Sequence, residues 1–93
     1  MRCIATTRYS QGEPLRVADC AEKARVLAFL RKFKPEAVAA GYFKDAKTGQ
    51  PVTDTEWRAY KSGEWGWSDR DIYHFEKYDL ELAPEFIAYA LGA

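Results

Sequence analysis

The chain has 93 residues, of which 47% are hydrophobic, 30% are charged and 15% are aromatic. Fourteen basic and fourteen acidic side chains cancel to a formal net charge of zero. The length predicts one globular domain over residues 1–93, and a count of two cysteines excludes a disulfide-stapled scaffold.

The N-terminal segment is predicted to form a β-hairpin. Residues 3–9 are rich in β-branched side chains, and residues 10–13 form a turn that contains glycine. Apolar and polar side chains alternate over residues 14–18. Two such runs joined by a short glycine-containing loop are typical of paired antiparallel strands.

The clearest element is an amphipathic helix over residues 20–33. Asp19 is a good N-cap, Glu22 follows three residues later as in a capping box, and Pro35 ends the helix. The apolar side of the helix consists of four residues at helical spacing: Val26, Leu27, Leu30 and Phe33.

The middle of the chain is predicted to hold two short helices. A proline and a glycine bound a helix over 35–40, and a threonine–glutamate capping signal precedes a helix over 54–61. Residues 42–44 are expected to form a short strand or a packed linker. Residues 45–51 have the composition of a surface turn.

The C-terminal third is predicted as a loop, a strand and a helix. Glycine, serine and aspartate indicate a surface loop over 64–71, although this stretch holds two tryptophans. Residues 72–82 alternate as in a strand with a bulge. Pro84 opens a last helix over 85–91.

The element order is therefore ββα(α/β)αβα. This order predicts an α+β fold in which a small, largely antiparallel sheet of two to four strands has helices packed on one face.

Charge is distributed unevenly between the two halves of the chain. Residues 1–47 carry ten Lys/Arg and five Asp/Glu, whereas residues 48–93 carry four and nine. Either the halves neutralise each other in the fold, or they form two faces of opposite sign, one of which steers a charged partner.

No pattern in the sequence points to catalysis, a cofactor or a metal site. Cys3 and Cys20 lack the spacing of metal ligands and are interpreted as reduced thiols. His74 is the only histidine and is interpreted as a surface or half-buried strand residue. The acidic C-terminal group is interpreted as a solvated face and comprises Asp69, Asp71, Asp79 and Glu81.

Trp65 and Trp67 form the leading candidate contact site. Gly66 separates them, so both side chains point the same way if the segment is extended. They either close the core or form an exposed anchor of the kind that dominates binding hot spots. We expect at least one to be exposed, with an acidic rim that favours a basic partner surface and consists of Glu64, Asp69 and Asp71.

The alternative contact site is a basic patch on the first helix that would contact phosphates. It comprises Lys23, Arg31, Lys32 and Lys34. Eleven of the fourteen aromatic residues lie after residue 41, in the acidic part of the chain. This separation disfavours nucleic acid, because stacking rings and positive charge coincide in nucleic-acid binders.

These features predict a non-enzymatic protein-binding module that has no cofactor. The N-terminus turns polar within a few residues and no apolar run reaches membrane length, so a cytoplasmic protein without membrane association is expected. Motif-free domains of this kind are typical of bacterial or phage accessory proteins. They include anti-CRISPR-like inhibitors that occlude a host macromolecular machine. A nucleic-acid-associated protein is the alternative, and the oligomeric state stays open.

We predict that the protein stays folded in reducing agent and in EDTA, because neither a disulfide nor a metal belongs to the expected structure. Thermal melts with and without each reagent measure this. A large fall in Tm with either reagent would contradict the interpretation of the cysteines or of the carboxylates.

Overall fold

The computed structural model describes residues 1–92, which form six strands and three helices. The strands are β1 (Arg2–Cys3), β2 (Ala37–Ala39), β3 (Phe43–Lys44), β4 (Pro51–Val52), β5 (Trp57–Ser62) and β6 (Trp65–Ser68). The helices are α1 (Lys23–Arg31), α2 (Asp69–Tyr78) and α3 (Pro84–Gly92). No helix within this range has the length and apolar content needed to cross a membrane.

A four-stranded mixed sheet in the order β1-β6-β5-β2 organises the fold. β6 pairs antiparallel with β5 and parallel with β1, and β2 pairs antiparallel with β5. β3 and β4 form a separate antiparallel pair. The α+β class is confirmed and four strands fall within the expected range, but one of the three pairings in the main sheet is parallel.

The predicted N-terminal hairpin is wrong. Of the expected strand at 3–9, only Cys3 belongs to β1, and that strand runs parallel to β6. The chain that follows pairs with the segment after α2, through antiparallel bridges that join Ala5 to Leu82 and Val17 to Leu80. Long-range partners therefore replace the local pairing that the turn signal indicated.

The first helix is confirmed, with its start displaced toward the C-terminus. α1 begins at Lys23 with Glu22 as N-cap, so Asp19 does not cap it. Val26 and Leu30 are fully buried, and Leu27 and Phe33 are partly buried against the core.

The two short helices predicted in the middle of the chain are both strands. Residues 37–39 form β2, and residues 57–61 of the expected 54–61 helix belong to β5, which continues to Ser62. β5 is bonded on one side to β6 and on the other to β2, and this pairing overrides the local capping signal. The predicted short strand at 42–44 and the turn that follows it are present as β3 and the residues after it.

The predicted loop at 64–71 and strand at 72–82 are also wrong. The loop is β6 followed by the start of α2, and most of the strand is α2 itself. The backbone N–H of Ser68, the N-cap, donates to Asp71 Oδ2 at 3.1 Å, and Asp79 ends the helix in the left-handed conformation at φ 58°. The last helix is confirmed as α3.

Both tryptophans of β6 lie in the core, so the expectation that one is exposed is wrong. Trp65 is 3% exposed and Trp67 is 4% exposed. The Trp67 indole N–H donates to the carbonyl of Leu30 at 3.2 Å. Its ring lies 5.5–6.2 Å, between centroids, from four other aromatic rings: Phe29, Phe33, Tyr60 and Phe86. α1 and α3 thus pack on the face of the sheet that carries the indoles.

We predict that Trp67→Ala lowers the free energy of unfolding by about 3–5 kcal/mol and Leu30→Ala by about 2–5 kcal/mol, because each opens a cavity in this cluster. Tyr42→Ala is the matched control, since Tyr42 is 52% exposed and its loss should change stability by about 0.5 kcal/mol or less. Urea unfolding measures all three variants. Equal losses at positions 67 and 42 would contradict the core assignment.

Candidate functional site

The acidic rim expected around the tryptophans is divided between an exposed ion pair, formed by Glu64, and two carboxylates with partners inside the fold, Asp69 and Asp71. Glu64 pairs with Arg2 at 3.4 Å. Asp71 accepts hydrogen bonds from the Tyr9 hydroxyl and from the backbone N–H of Ser68. Asp69 is 6% exposed and accepts a hydrogen bond from the Tyr60 hydroxyl. The structure therefore leaves no acidic ring around an exposed indole at this position.

The basic patch of the first helix is partly neutralised. Lys23 pairs with Asp79 at 2.6 Å, and Arg31 pairs with Glu76 at 2.7 Å. The Lys32 ammonium lies over the rings of Phe29 and Phe33, at 4.8 and 5.3 Å from their centroids. Lys34 is exposed.

Charges of the two chain halves meet across the fold. Four ion pairs join a cation of the N-terminal half to a carboxylate of the C-terminal half: Arg2–Glu64, Arg16–Glu81, Lys23–Asp79 and Arg31–Glu76. This supports the interpretation in which the halves neutralise each other. The charge asymmetry of the sequence is therefore largely a folding feature.

A cleft of about 410 Å³ brings together one residue from each of the two predicted contact sites, Asp69 and Arg31. It lies between α1, β5 and α2. Its other lining residues are Phe33, Pro35, Asp54, Thr55, Arg58, Tyr60, Ile72, Tyr73 and Glu76. Neither predicted site anticipated this cleft, because β5 was expected to be a helix.

The carboxylate of Asp69 forms the polar base of the cleft. Its Oδ2 accepts the backbone N–H of Arg58 at 2.9 Å and the Arg58 Nε–H at 2.8 Å, and its Oδ1 accepts the Tyr60 hydroxyl at 2.8 Å. The hydrogen bond to Asp69 raises the pKa of Arg58. Burial and the same carboxylate raise the pKa of Tyr60 to about 12. Both donors therefore keep their protons at neutral pH.

β2 is an open edge of the main sheet and adjoins the cleft. All three of its residues are exposed, and Val38 is 64% exposed. Val38 lies opposite Arg58 in the register, so both side chains project from the same face of the sheet. At the other edge, the chain after β1 is covered, since Ala83 N–H donates to Ile4 O and Thr6 N–H donates to Glu81 O.

His74 lies in α2 and is fully buried, which corrects its interpretation as a surface or half-buried strand residue. Its Nδ1 faces the Arg70 carbonyl at 2.7 Å, and its Nε2 accepts the Ala46 N–H at 2.9 Å. Burial lowers the pKa of this imidazole. His74 is thus a neutral connector between α2 and the loop after β3.

Asp45 anchors the same loop. Its carboxylate accepts the hydroxyls of Tyr73 and Tyr78 and the backbone N–H groups of Lys47 and Thr48. Burial alone would raise the pKa of Asp45, but these four donors outweigh it and hold the pKa below its ordinary value. Within residues 1–92, no group of three or more His, Cys, Asp and Glu side chains is arranged to hold a metal ion.

Comparison with known proteins gives no relative for this chain. No protein-family model, no curated protein and no solved structure matches it.

We predict that stability falls as the pH drops below 6.5, the ordinary pKa of histidine. His74 takes up a proton in the unfolded chain at that pH but resists protonation in the fold, so the unfolded state binds more protons. The loss grows until the pH reaches the lowered pKa of the folded state. Urea unfolding between pH 7.5 and 5.5 measures this loss.

His74→Gln is the control for this titration, because glutamine can accept the Ala46 N–H but does not titrate. The variant should be less stable than the parent at pH 7.5 and show a smaller dependence on pH. A parent protein of constant stability over this interval would contradict the assigned role of His74.

Proposed function

We propose that this protein is a non-enzymatic protein-binding module that pairs an extended segment of its partner with the free edge of β2. The single observation behind this proposal is that β2 ends the sheet with Ala37, Val38 and Ala39 all exposed. An edge strand offers unpaired backbone N–H and C=O groups, and adding a strand to it is a recurring mode of peptide recognition.

β2 is only three residues long, but it carries none of the side chains that usually block such an edge. Its three side chains are small or apolar, with no lysine, proline or charge inside the strand. Tyr42, three residues after the strand, is also exposed. At the opposite edge of the sheet, the chain that follows β1 is covered by the segment around Leu82. β2 differs from that edge because it is open.

The adjoining cleft would provide side-chain specificity. Val38 and Arg58 share a face, and Arg58 and Pro35 line the cleft, so a partner side chain beside Val38 can enter it. Arg31 and Arg58 are already paired with carboxylates. Over residues 1–92, Glu36 and Asp54 form no ion pair. A basic side chain is therefore the favoured guest, in keeping with the expected basic partner.

This mode of binding suits an accessory protein or an inhibitor that blocks a larger assembly by occupying a strand-binding position on it. The nucleic-acid alternative depends on Lys32 and Lys34, which follow α1 and form no ion pair in the described structure. Salt separates the two functions, because phosphate contacts give a steep loss of affinity with rising salt.

We predict that Val38→Lys weakens partner binding about tenfold or more, a loss of about 1.4 kcal/mol. It removes the exposed apolar contact and repels a basic segment. Val17→Lys is the matched control, since Val17 is 53% exposed and lies in an isolated bridge with Leu80, outside the β2 edge. Calorimetric titration of the partner at low and high salt measures both variants.

The partner is first trapped with a photo-crosslinking amino acid at position 38, and position 17 serves as the reference. We expect a discrete protein adduct from position 38 alone. Equal adducts at both positions would contradict the proposal, and so would equal affinities of the two lysine variants. Adducts with nucleic acid would support the alternative function.

A further inference from the structure

A groove of about 670 Å³ lies along the N-terminal segment and shares no lining residue with the cleft. It is lined by residues 1–3 and 5–11 together with Arg70 and Asp71 of α2. Its size falls within the range of small-molecule sites, about 300–1,000 Å³. No function described so far uses it.

The charged lining of the groove is mainly arginine. The groove lining contains three arginines and a single carboxylate, that of Asp71. The arginines are Arg2, Arg8 and Arg70. This carboxylate is already engaged by the Tyr9 hydroxyl and by the Ser68 N–H. Within residues 1–92 neither Arg8 nor Arg70 forms an ion pair. The groove thus has two arginines that form no ion pair, and the charge of Arg70 acts on the neighbouring carboxylate of Asp71, whose pKa burial raises and Arg70 lowers.

Arg70 is fixed between two aromatic rings. Its Cζ lies 5.8 Å from the ring centroid of Tyr9 and 5.6 Å from that of Trp57. Its Nε is buried and has no hydrogen-bond partner among the described residues. Buried donors in folded proteins are nearly always satisfied by protein groups or by ordered water, so this N–H is open to an acceptor from outside the chain, either a water or an oxyanion.

We infer that this groove binds an oxyanion of the phosphate class. The planar guanidinium fork matches phosphate oxygens with paired hydrogen bonds. Together with Arg2, the two arginines that form no ion pair leave the groove with more positive than negative charge, which favours an anion. Phosphate alone fills a small part of the groove, so there is room for a small organic group attached to it. The ligand is therefore either free phosphate or a small phosphomonoester that places its terminal phosphate here. This site is independent of the β2 edge.

Calorimetric titration with inorganic phosphate and with adenosine monophosphate, at constant ionic strength set with chloride, tests for binding. Saturable binding of either probe is expected. Comparable affinities identify free oxyanion as the ligand, and tighter binding of the monophosphate identifies a phosphomonoester. Absence of binding by both overturns the inference. The inference is also overturned if oligonucleotides bind with an affinity that rises in proportion to their length, because such binding indicates an extended nucleic-acid surface.

Cys3 provides a second measurement because its thiol is exposed and lines the groove. Neutral iodoacetamide alkylates accessible thiols without competing for the arginines. Peptide mass spectrometry follows Cys3, with the half-buried Cys20 as an internal reference. Saturating phosphate should slow alkylation at Cys3 several-fold and leave Cys20 unchanged. Equal slowing at both residues, or no slowing at Cys3, overturns the location.

The arginines are tested by Arg8→Gln and Arg70→Gln. Each should weaken phosphate binding about tenfold, the effect of losing a charge-assisted hydrogen bond. Arg25→Gln removes the same charge outside the groove, and phosphate affinity should be unchanged. Arg8 is exposed, so its variant remains informative if Arg70→Gln fails to fold in circular dichroism. Unchanged affinity in Arg8→Gln, or an equal loss in Arg25→Gln, overturns the assignment.

Discussion

The alternation of Trp65, Gly66 and Trp67 in β6 decides which face of the sheet becomes the core. Both indoles point to one face, where they meet Phe86 of α3 at ring distances of 5.3 and 5.8 Å. Gly66 faces the other side, and a Cβ at that position would lie 2.0 Å from the sulfur of Met1. Because β6 itself carries two large rings on one face and none on the other, α1 and α3 pack on the face of the indoles. The buried area of these rings explains how so short a chain sustains a core.

Once that face is buried, the polar residues next to the tryptophans have to turn inward or pair. Asp69, at the start of α2, receives three hydrogen bonds from Arg58 and Tyr60 of β5, so it joins the helix to the sheet. Glu64 pairs with Arg2 across the parallel pairing of β1 and β6. Of the residues expected to form an acidic contact surface, Asp69 and Asp71 therefore have hydrogen-bond partners within the fold, and Glu64 forms an exposed ion pair.

The sequence predicts α1 and α3 because their signals are local: apolar residues at helical spacing, and a proline at one end. It does not predict β2 and β5, because a strand depends on partners that are distant in the chain. Ala37–Ala39 contains two alanines, which favour helix in isolation, yet Val38 pairs with Arg58 twenty residues later. In α2, the alternation of Tyr73 and Phe75 suggested a strand, whereas Ile72 and Phe75, three apart and both buried, were the helical signal.

The residues of the candidate sites also differ in whether the sequence predicts them. The sequence predicted Asp69 and Arg31 in two rival sites, and the fold places both in one cleft. The cleft was not predicted because it is lined by residues of β5, which was expected to be a helix. The arginines of the N-terminal groove gave no signal, because Arg70 is distant from Arg2 and Arg8 in the chain. A periodicity argument cannot bring such residues together, since their proximity follows from the parallel pairing of β1 with β6.

The length of β2 limits what the edge alone can contribute to binding. A three-residue strand offers few outward backbone groups, and each hydrogen bond contributes only about 0.5–1.5 kcal/mol net. Association must also offset several kcal/mol of lost freedom. Backbone pairing can therefore set the direction and register of a partner segment, but it cannot hold that segment. In the proposed complex the affinity would come from side chains: from Val38 and Tyr42 on the surface, and from a partner group inserted beside Asp54. An edge this short next to a cleft with an unpaired carboxylate is consistent with recognition of a particular sequence, and not with general adhesion between strands.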